Sequence, residues 1–324
     1  MLPKPRYLWF TKPNMTIHKN KCSAHPILIA GATASGKSKL ANRLALEMGG
    51  VIVNADSMQV YACLSILTAR PSSADMGKVP HELYGFLPCE KSYNVGQYIA
   101  DIKPLLAKYS TRQLIIVGGT GLYFSALTKG IADIPEIDPA IREGLIGEEK
   151  DKGLDAFYKE LLHIDPKLAK KINPHDRQRI LRGVEVFRAT NEPLSFWQSK
   201  PPLPPLLAHS HKILLAPERE ALYENINQRF ELMLEGGAVK EVEKLLACEL
   251  PPHAAIYKAL GVGEIAAYCN GECSLEEASV RAKQAIRRYA KRQMTWFRNQ
   301  MKDWYSITAQ ENNKKIQEIL SKIT

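Results

Sequence analysis

An apolar run, Pro26-Ile-Leu-Ile-Ala30, leads straight into Gly31-Ala32-Thr33-Ala34-Ser35-Gly36-Lys37-Ser38, and this junction restricts the fold more than any other stretch of the chain. The spacing matches G-x-x-x-x-G-K-[ST], which demands a buried strand, a loop tight enough for backbone N–H groups to converge, and a helix starting where the loop ends. The glycines permit the turn, Lys37 adds a mobile cation, and the positive end of the helix dipole faces the same point. A di- or triphosphate fits there, with the Ser38 hydroxyl placed to hold Mg2+. Leu40, Leu44, Leu46 and Met48 carry apolar residues into the expected helix, so a chance glycine turn is the weaker reading. The loop alone leaves open which phosphate compound binds and whether a phosphoryl group moves.

Further apolar runs at Val51 to Ala55, Leu114 to Val117 and Ile213 to Ala216 resemble buried parallel strands, with helical patterns between the first ones. The expected class is therefore α/β: a doubly wound, P-loop NTPase-like core with a parallel sheet. A charged, strand-free stretch from Asp138 to about Thr190 reads as a helical insertion that moves partly as its own body, closed by the stiff connector Lys200-Pro-Pro-Leu-Pro-Pro205. The expected parts are a basic leader at 1–24, the first part of the core at 25–135, the insertion at 136–200, and core completion with C-terminal helices at 201–324. Residues 1–46 contain no acid, and Tyr7-Leu-Trp-Phe10 is too short for a signal-peptide core. A disordered tail, with Met15 as a possible start, is favoured there over a transit leader or an RNA-touching arm.

The 324 residues carry a net charge of +10, which favours a polyanionic partner through counterion release. Six cysteines include no C-x-x-C pair and no zinc spacing, so reduced thiols and a cytoplasmic setting are expected. No apolar run is long enough to cross a bilayer, and nothing in the pattern calls for a second copy, so a monomer off the membrane is expected.

Most P-loop NTPases place an aspartate at the end of a later strand. Here Leu114-Ile-Ile-Val117 ends in Gly118-Gly-Thr-Gly121 instead, which disfavours a motor ATPase. A carboxylate follows the second strand, in Asn54-Ala-Asp56-Ser57-Met58-Gln59. Asp56 at a strand's C-terminal end lies where ligands of such sheets bind, as a general base or a ligand of Mg2+-bound water; a helix N-cap is the competing role. Thr120 is either a substrate hydrogen-bond partner or the cap of the helix beginning near Leu122.

Six ordered segments now stand together: Gly31 to Ser38, Asp56-Ser-Met-Gln-Val-Tyr61, Val117-Gly-Gly-Thr-Gly-Leu-Tyr123, Asp176-Arg-Gln-Arg-Ile-Leu-Arg182, Gln228-Arg229-Phe230 and Tyr289-Ala-Lys-Arg-Gln-Met-Thr-Trp-Phe-Arg298. In order and spacing this set resembles the tRNA dimethylallyltransferases, over Pro26 to about Trp304. The resemblance implies transfer of a dimethylallyl group from dimethylallyl diphosphate to N6 of the adenine next to the anticodon, position 37, in tRNAs reading codons that begin with U. It also implies that Gly31, Ala32, Thr33, Ala34, Ser35, Gly36, Lys37 and Ser38 hold the diphosphate, that Mg2+ sits at Ser38, and that Asp56, Thr120 and Lys37 are catalytic. Residues implied to meet tRNA are Asp56, Ser57, Met58, Gln59, Thr120, Arg142, Gln178, Arg179, Ile180, Leu181, Arg182 and Arg229, with Arg229 shared between tRNA and diphosphate. The chain departs from the family after Tyr61: Ala62-Cys-Leu-Ser65-Ile-Leu67-Thr68-Ala-Arg70-Pro71 has Ser65 where an aspartate is usual and Leu67 where a glycine is usual. Gly261-Val-Gly-Glu264 is also looser than the commoner aromatic-containing form.

The chemistry is consistent with that implication. Adenine N6 is a weak nucleophile, so transfer needs a good leaving group and a proton acceptor; a held diphosphate and Asp56 are the candidates. A stacked base must first be flipped out, at a cost of a few kcal/mol offset by phosphate contacts. Gln178, Arg179 and Arg182 fall within about one helical turn, with Ile180 and Leu181 facing elsewhere. Between Val280 and Lys302 lie eight Lys or Arg and no acid, opposite Ile286, Tyr289, Trp296 and Phe297, which read as core. Two other readings stay open at this point: an isopentenyltransferase or kinase acting on a free nucleotide, and an ATP-driven nucleic-acid remodeller.

Overall fold

The computed structural model describes residues 25–252 and 254–308, so the basic leader lies outside the described residues. Strands β1 (Ile27–Gly31), β2 (Val51–Asn54), β3 (His81–Glu82), β4 (Leu114–Gly118), β5 (His211–Leu215) and β6 (Tyr305–Ile307) form one sheet in the order β3-β2-β4-β1-β5-β6. Each neighbouring pair is parallel. Helices α1 (Lys37–Met48), α2 (Ser73–Met76), α3 (Val95–Lys108) and α4 (Gly121–Lys129) alternate with the first four strands. Residues of β1 alternate between faces, as a strand's period of two requires. Ile27 and Ile29 pack with Leu40 and Leu44 of α1, while Leu28 and Ala30 pack with Tyr98, Phe124, Phe297 and Trp304. Both faces are covered, which is why the strands are apolar throughout.

Between β4 and β5 the insertion comprises α5 (Pro139–Lys152), α6 (Leu154–Ile164), α7 (Pro166–Ala169), α8 (Arg177–Thr190) and α9 (Leu194–Trp197). Asp138 and Asp176 set two of these starts by accepting from the N–H groups of Ala140 and Arg179. The helices enclose a separate core of Leu145, Phe157, Leu161, Ile180, Leu181 and Val184. The proline-rich connector returns beside the outgoing chain: Leu203 N–H donates to Ile131 O at 2.8 Å and Leu207 N–H to Leu127 O at 2.8 Å.

After β5 come α10 (Arg219–Glu235), α11 (Ala238–Leu246), α12 (Val262–Cys269) and the long α13 (Leu275–Gln300). Core completion with C-terminal helices is what the sequence predicts for 201–324, and that stretch shows no pattern for the short strand β6. This strand completes the sheet edge, and Ala216 N–H donates to Ile307 O at 2.9 Å. β3, two residues long, is likewise too short to show a period.

The segment that departs from the family is pinned from α11. Glu241, nearly buried, accepts from Ser65 N–H (2.6 Å), Ser65 Oγ (3.0 Å), Ile66 N–H (2.9 Å) and Leu67 N–H (3.0 Å). Ser65 therefore joins the loop to α11, and Leu67 enters the core against Phe230. Glu241→Ala leaves these donors without a partner and should destabilise the protein by about 2–4 kcal/mol, read from the urea midpoint.

Cys63 and Cys89 lie side by side, their Cα atoms 6.1 Å apart, because Tyr61 and Leu87 pair as an isolated bridge two residues before each. Among the described residues Cys248, Cys269 and Cys273 are free.

Candidate active site

The P-loop turns at Ala34 (φ +62) and Gly36 (φ +88), backbone conformations that bring successive N–H groups to one side. Lys37 begins α1 and folds back, its Nζ donating to Ala32 O at 3.3 Å. Burial pulls this ammonium down from 10.5 to about 8; Asp56 opposes that fall and Arg229 adds to it. Ser35 Oγ is buried without a protein partner, whereas Ser38 is exposed at the first turn of α1. An unpaired buried hydroxyl inside a cradle of N–H groups suits an anionic ligand.

Asp56 is set by the strand before it. Asn54, fully buried, accepts from Asp56 N–H at 2.8 Å and donates from Nδ2 to Asp56 O at 2.9 Å and Leu83 O at 3.0 Å. The Asp56 carboxylate takes Met58 N–H on Oδ1 at 2.9 Å, an Asx turn rather than a helix cap. Thr120 occupies the N-cap position of α4 without capping it; its Oγ1 accepts Ser57 N–H at 2.9 Å and lies 3.3 Å from Ser57 Oγ. These contacts explain the glycines at the end of β4. A Cβ on Gly118 would collide with the Ala55 carbonyl, and one on Gly119 would stand 2.5 Å from Gln293 Nε2 and 3.4 Å from Asp56 Oδ2. The close approach that replaces a strand-end aspartate lets the β2 and β4 turns share hydrogen bonds.

Arg229 reaches from α10 to donate to Thr33 Oγ1 of the P-loop. Burial lowers its pKa and Asp56 supports its charge. It therefore sits with Lys37 over the loop. Met58 and Gln59 stay half-buried beside Asp56, Gln59 being tied by its side chain to Thr68 O at 2.8 Å.

The remaining residues lie on the insertion. Arg142 of α5 and Arg182 of α8 both donate to Glu185 Oε2, each at 2.9 Å, so one buried carboxylate holds two guanidiniums side by side. Arg179 is the most open of the set, its side chain 69% exposed beside Asp176 at 3.2 Å. Gln178 is exposed. Ile180 and Leu181, which the resemblance carried over with the same tRNA-meeting segment, are corrected as side-chain contacts: both are buried in the insertion's core, facing away from Gln178, Arg179 and Arg182 as the helical period of α8 requires.

Sequence reasoning missed several neighbours of Asp56. Tyr84, Tyr123 and Tyr289 are pushed up by burial first and by the Asp56 charge second, Tyr289 to about 12, so these phenols stay protonated near the carboxylate. Tyr123 and Tyr289 stood inside the quoted segments; Tyr84, after β3, carried no signal. Gln293 of α13 was also missed as a site residue.

A parallel core with a P-loop after β1, a carboxylate after β2 and a glycine turn at the end of β4, joined to an arginine-bearing helical insertion, defines a P-loop-class core. The chain belongs to the IPP transferase family, whose profile matches residues 59–300; a second profile, isopentenyl transferase, matches residues 25–84. It is 48% identical over 281 residues to a tRNA dimethylallyltransferase from Chelativorans sp. (strain BNC1), covering 86% of this chain and 96% of that one. A tRNA dimethylallyltransferase from Bartonella quintana (strain Toulouse) is 47% identical over 287 residues, covering 88% and 97%. The crystal structure of a tRNA isopentenylpyrophosphate transferase from Bacillus halodurans superposes with a TM-score of 0.65 at 33% identity, covering 93% of this chain and 95% of that one.

Proposed function

We propose that this enzyme transfers a dimethylallyl group from dimethylallyl diphosphate to N6 of the adenine beside the anticodon in tRNA, releasing diphosphate. The observation that carries the reading is that Lys37 and Arg229 are both gathered on the P-loop, at Ala32 O and Thr33 Oγ1, within reach of the Asp56 carboxylate, which favours the charged form of each. The P-loop amides, Lys37 and Arg229 hold the diphosphate and meet the charge that develops on its bridging oxygen as the allylic C–O bond breaks. Asp56 Oδ2 accepts the N6 proton while N6 bonds to the allylic carbon. Thr120, tied to Ser57, keeps the adenine in line.

Among the described residues no group of three or more His, Cys, Asp or Glu could hold a metal ion by itself. The residues do suit Mg2+ in the way phosphate sites use it, with Ser38 supplying a hydroxyl and the substrate phosphates most other oxygens. When bound, Mg2+ adds positive charge against the departing diphosphate. Among the described residues no helix is long and apolar enough to cross a membrane. We assign the enzyme to the cytoplasm as a single copy, checked by light scattering against the chain mass of 36.3 kDa.

Incubation with labelled dimethylallyl diphosphate and tRNA, AMP or no acceptor tests the reaction. Label in tRNA alone is expected, and label in AMP alone would assign a free-nucleotide enzyme. The insertion favours tRNA, because Arg142, Arg179 and Arg182 stand half-exposed or exposed on helices that enclose a core of their own rather than on the P-loop core. Arg179→Ala and Arg182→Ala should each weaken tRNA binding, and each should flatten the slope of log affinity against log salt by about 1. The KM for dimethylallyl diphosphate should hold. Affinity measured at several salt concentrations decides; mutants matching wild type would place the RNA elsewhere.

A further inference from the structure

Burying a side-chain amide is unfavourable unless both its ends find partners, and Gln293 on α13 is nearly buried with both ends used. Its Oε1 accepts the N–H of Thr33, inside the P-loop, at 2.9 Å. Its Nε2 donates to the carbonyl of Gly119, the residue before Thr120, at 2.8 Å. The amide can face only this way, since an N–H must meet an acceptor and a carbonyl a donor. Both partners are backbone groups on loops that follow adjacent strands, β1 and β4. One loop holds the diphosphate and the other carries Thr120, which is bonded to Ser57 beside Asp56.

We infer that Gln293 is a positioning residue that fixes the distance between the diphosphate cradle and the turn that aligns the adenine, an inference that rests on the function proposed above. A displacement between nucleophile, allylic carbon and leaving group cuts the rate without loosening either substrate, because each half-site remains whole. The same helix makes a second contact one turn later: Trp296 lies so close to Gly121 that a Cβ there would collide with the indole. α13 is itself anchored on either side of Gln293 by buried Ile286, Ala290 and Phe297, so it presents the amide from a rigid support.

The test uses the full chain with saturating tRNA and dimethylallyl diphosphate. Gln293→Met keeps the length and removes both hydrogen bonds; kcat should fall at least about 30-fold while both KM values stay within threefold. Gln293→Glu supplies a pH readout. As a carboxylate it can still accept from Thr33 N–H but repels the Gly119 carbonyl, whereas as a neutral acid it restores both bonds. Its kcat relative to wild type at the same pH should therefore rise as the pH is lowered from 8 to 6. A Gln293→Met kcat within threefold of wild type, or a Gln293→Glu ratio flat with pH, overturns the inference, and the second measurement stands if the methionine variant does not fold. Failure of wild type to label tRNA would instead remove the underlying reaction, so the two failures are distinguishable.

Discussion

Lys37→Met should yield a protein that resists urea better than wild type yet transfers almost no dimethylallyl group. The ammonium is held in a buried site that lowers its pKa from 10.5 to about 8, and a shift of that size corresponds to roughly 3 kcal/mol against the charged form. The sign follows from proton counting. Below pH 8 both folded and unfolded chains carry the proton and the folded state bears the whole cost; between about 8 and 10.5 the unfolded chain binds more protons, so stability climbs with pH. Methionine keeps the stem and removes the charge, for an expected gain of about 1–3 kcal/mol at neutral pH after the bond to Ala32 O is lost. Catalysis should fall about 10²–10³-fold, since Lys37 meets charge that grows as the diphosphate leaves. Wild type should also lose kcat/KM for dimethylallyl diphosphate as the pH rises through 8, because the free enzyme's lysine is then neutral. Urea titrations and initial rates from pH 6.5 to 9.5 check both limbs; a variant less stable than wild type at pH 7 would contradict the burial argument.

Asp56→Asn should lower kcat about 10²–10⁴-fold with both KM values nearly constant. The asparagine carbonyl can keep the bond from Met58 N–H, so the turn survives while the basic oxygen becomes an amide. A second effect follows from the same contact. Asp56 supports the charge on Lys37, so in the variant Lys37 should give up its proton at lower pH and the alkaline fall in diphosphate affinity should begin earlier. Parallel rate and melting measurements separate this from unfolding. A rate within a few-fold of wild type would leave Asp56 as a turn residue only.

Much of the core was legible because its strands are buried on both faces. Runs such as Ile27-Leu-Ile-Ala30 and Leu114-Ile-Ile-Val117 stand out by hydrophobicity alone, and observed β1 and β4 extend each by one glycine. β3 and β6 were not legible, since two and three residues at a sheet edge are recruited by their neighbours rather than by their own pattern. The structure gathers Lys37, Asp56, Thr120 and Arg229 at one end of the sheet, where Asp56 acts on the charge of Lys37 and Arg229 and Thr120 is bonded to Ser57. What spacing could not show is which distant groups meet them. Glu241 and Gln293 read as ordinary polar residues on amphipathic helices, and only the fold reveals that each spends its hydrogen bonds on backbone of a loop far away in sequence. Ile180 and Leu181 show the converse: a contiguous segment is carried over whole, but a helix turns part of it inward.

The bond from Gln293 to Thr33 spans 260 positions, and β6 closes the sheet later still. During synthesis the P-loop leaves the ribosome among the first elements, but the groups that set its distance from Thr120 emerge near the end. At about 5–20 residues per second, more than ten seconds pass with the cradle present and its register unset. A nascent chain can close the insertion on its own core, but β1 and β2 cannot join until β4 is present between them, and the centre stays unassembled. Partial chains are thereby kept from engaging tRNA and diphosphate productively, and activity itself becomes a report on whether translation has passed α13.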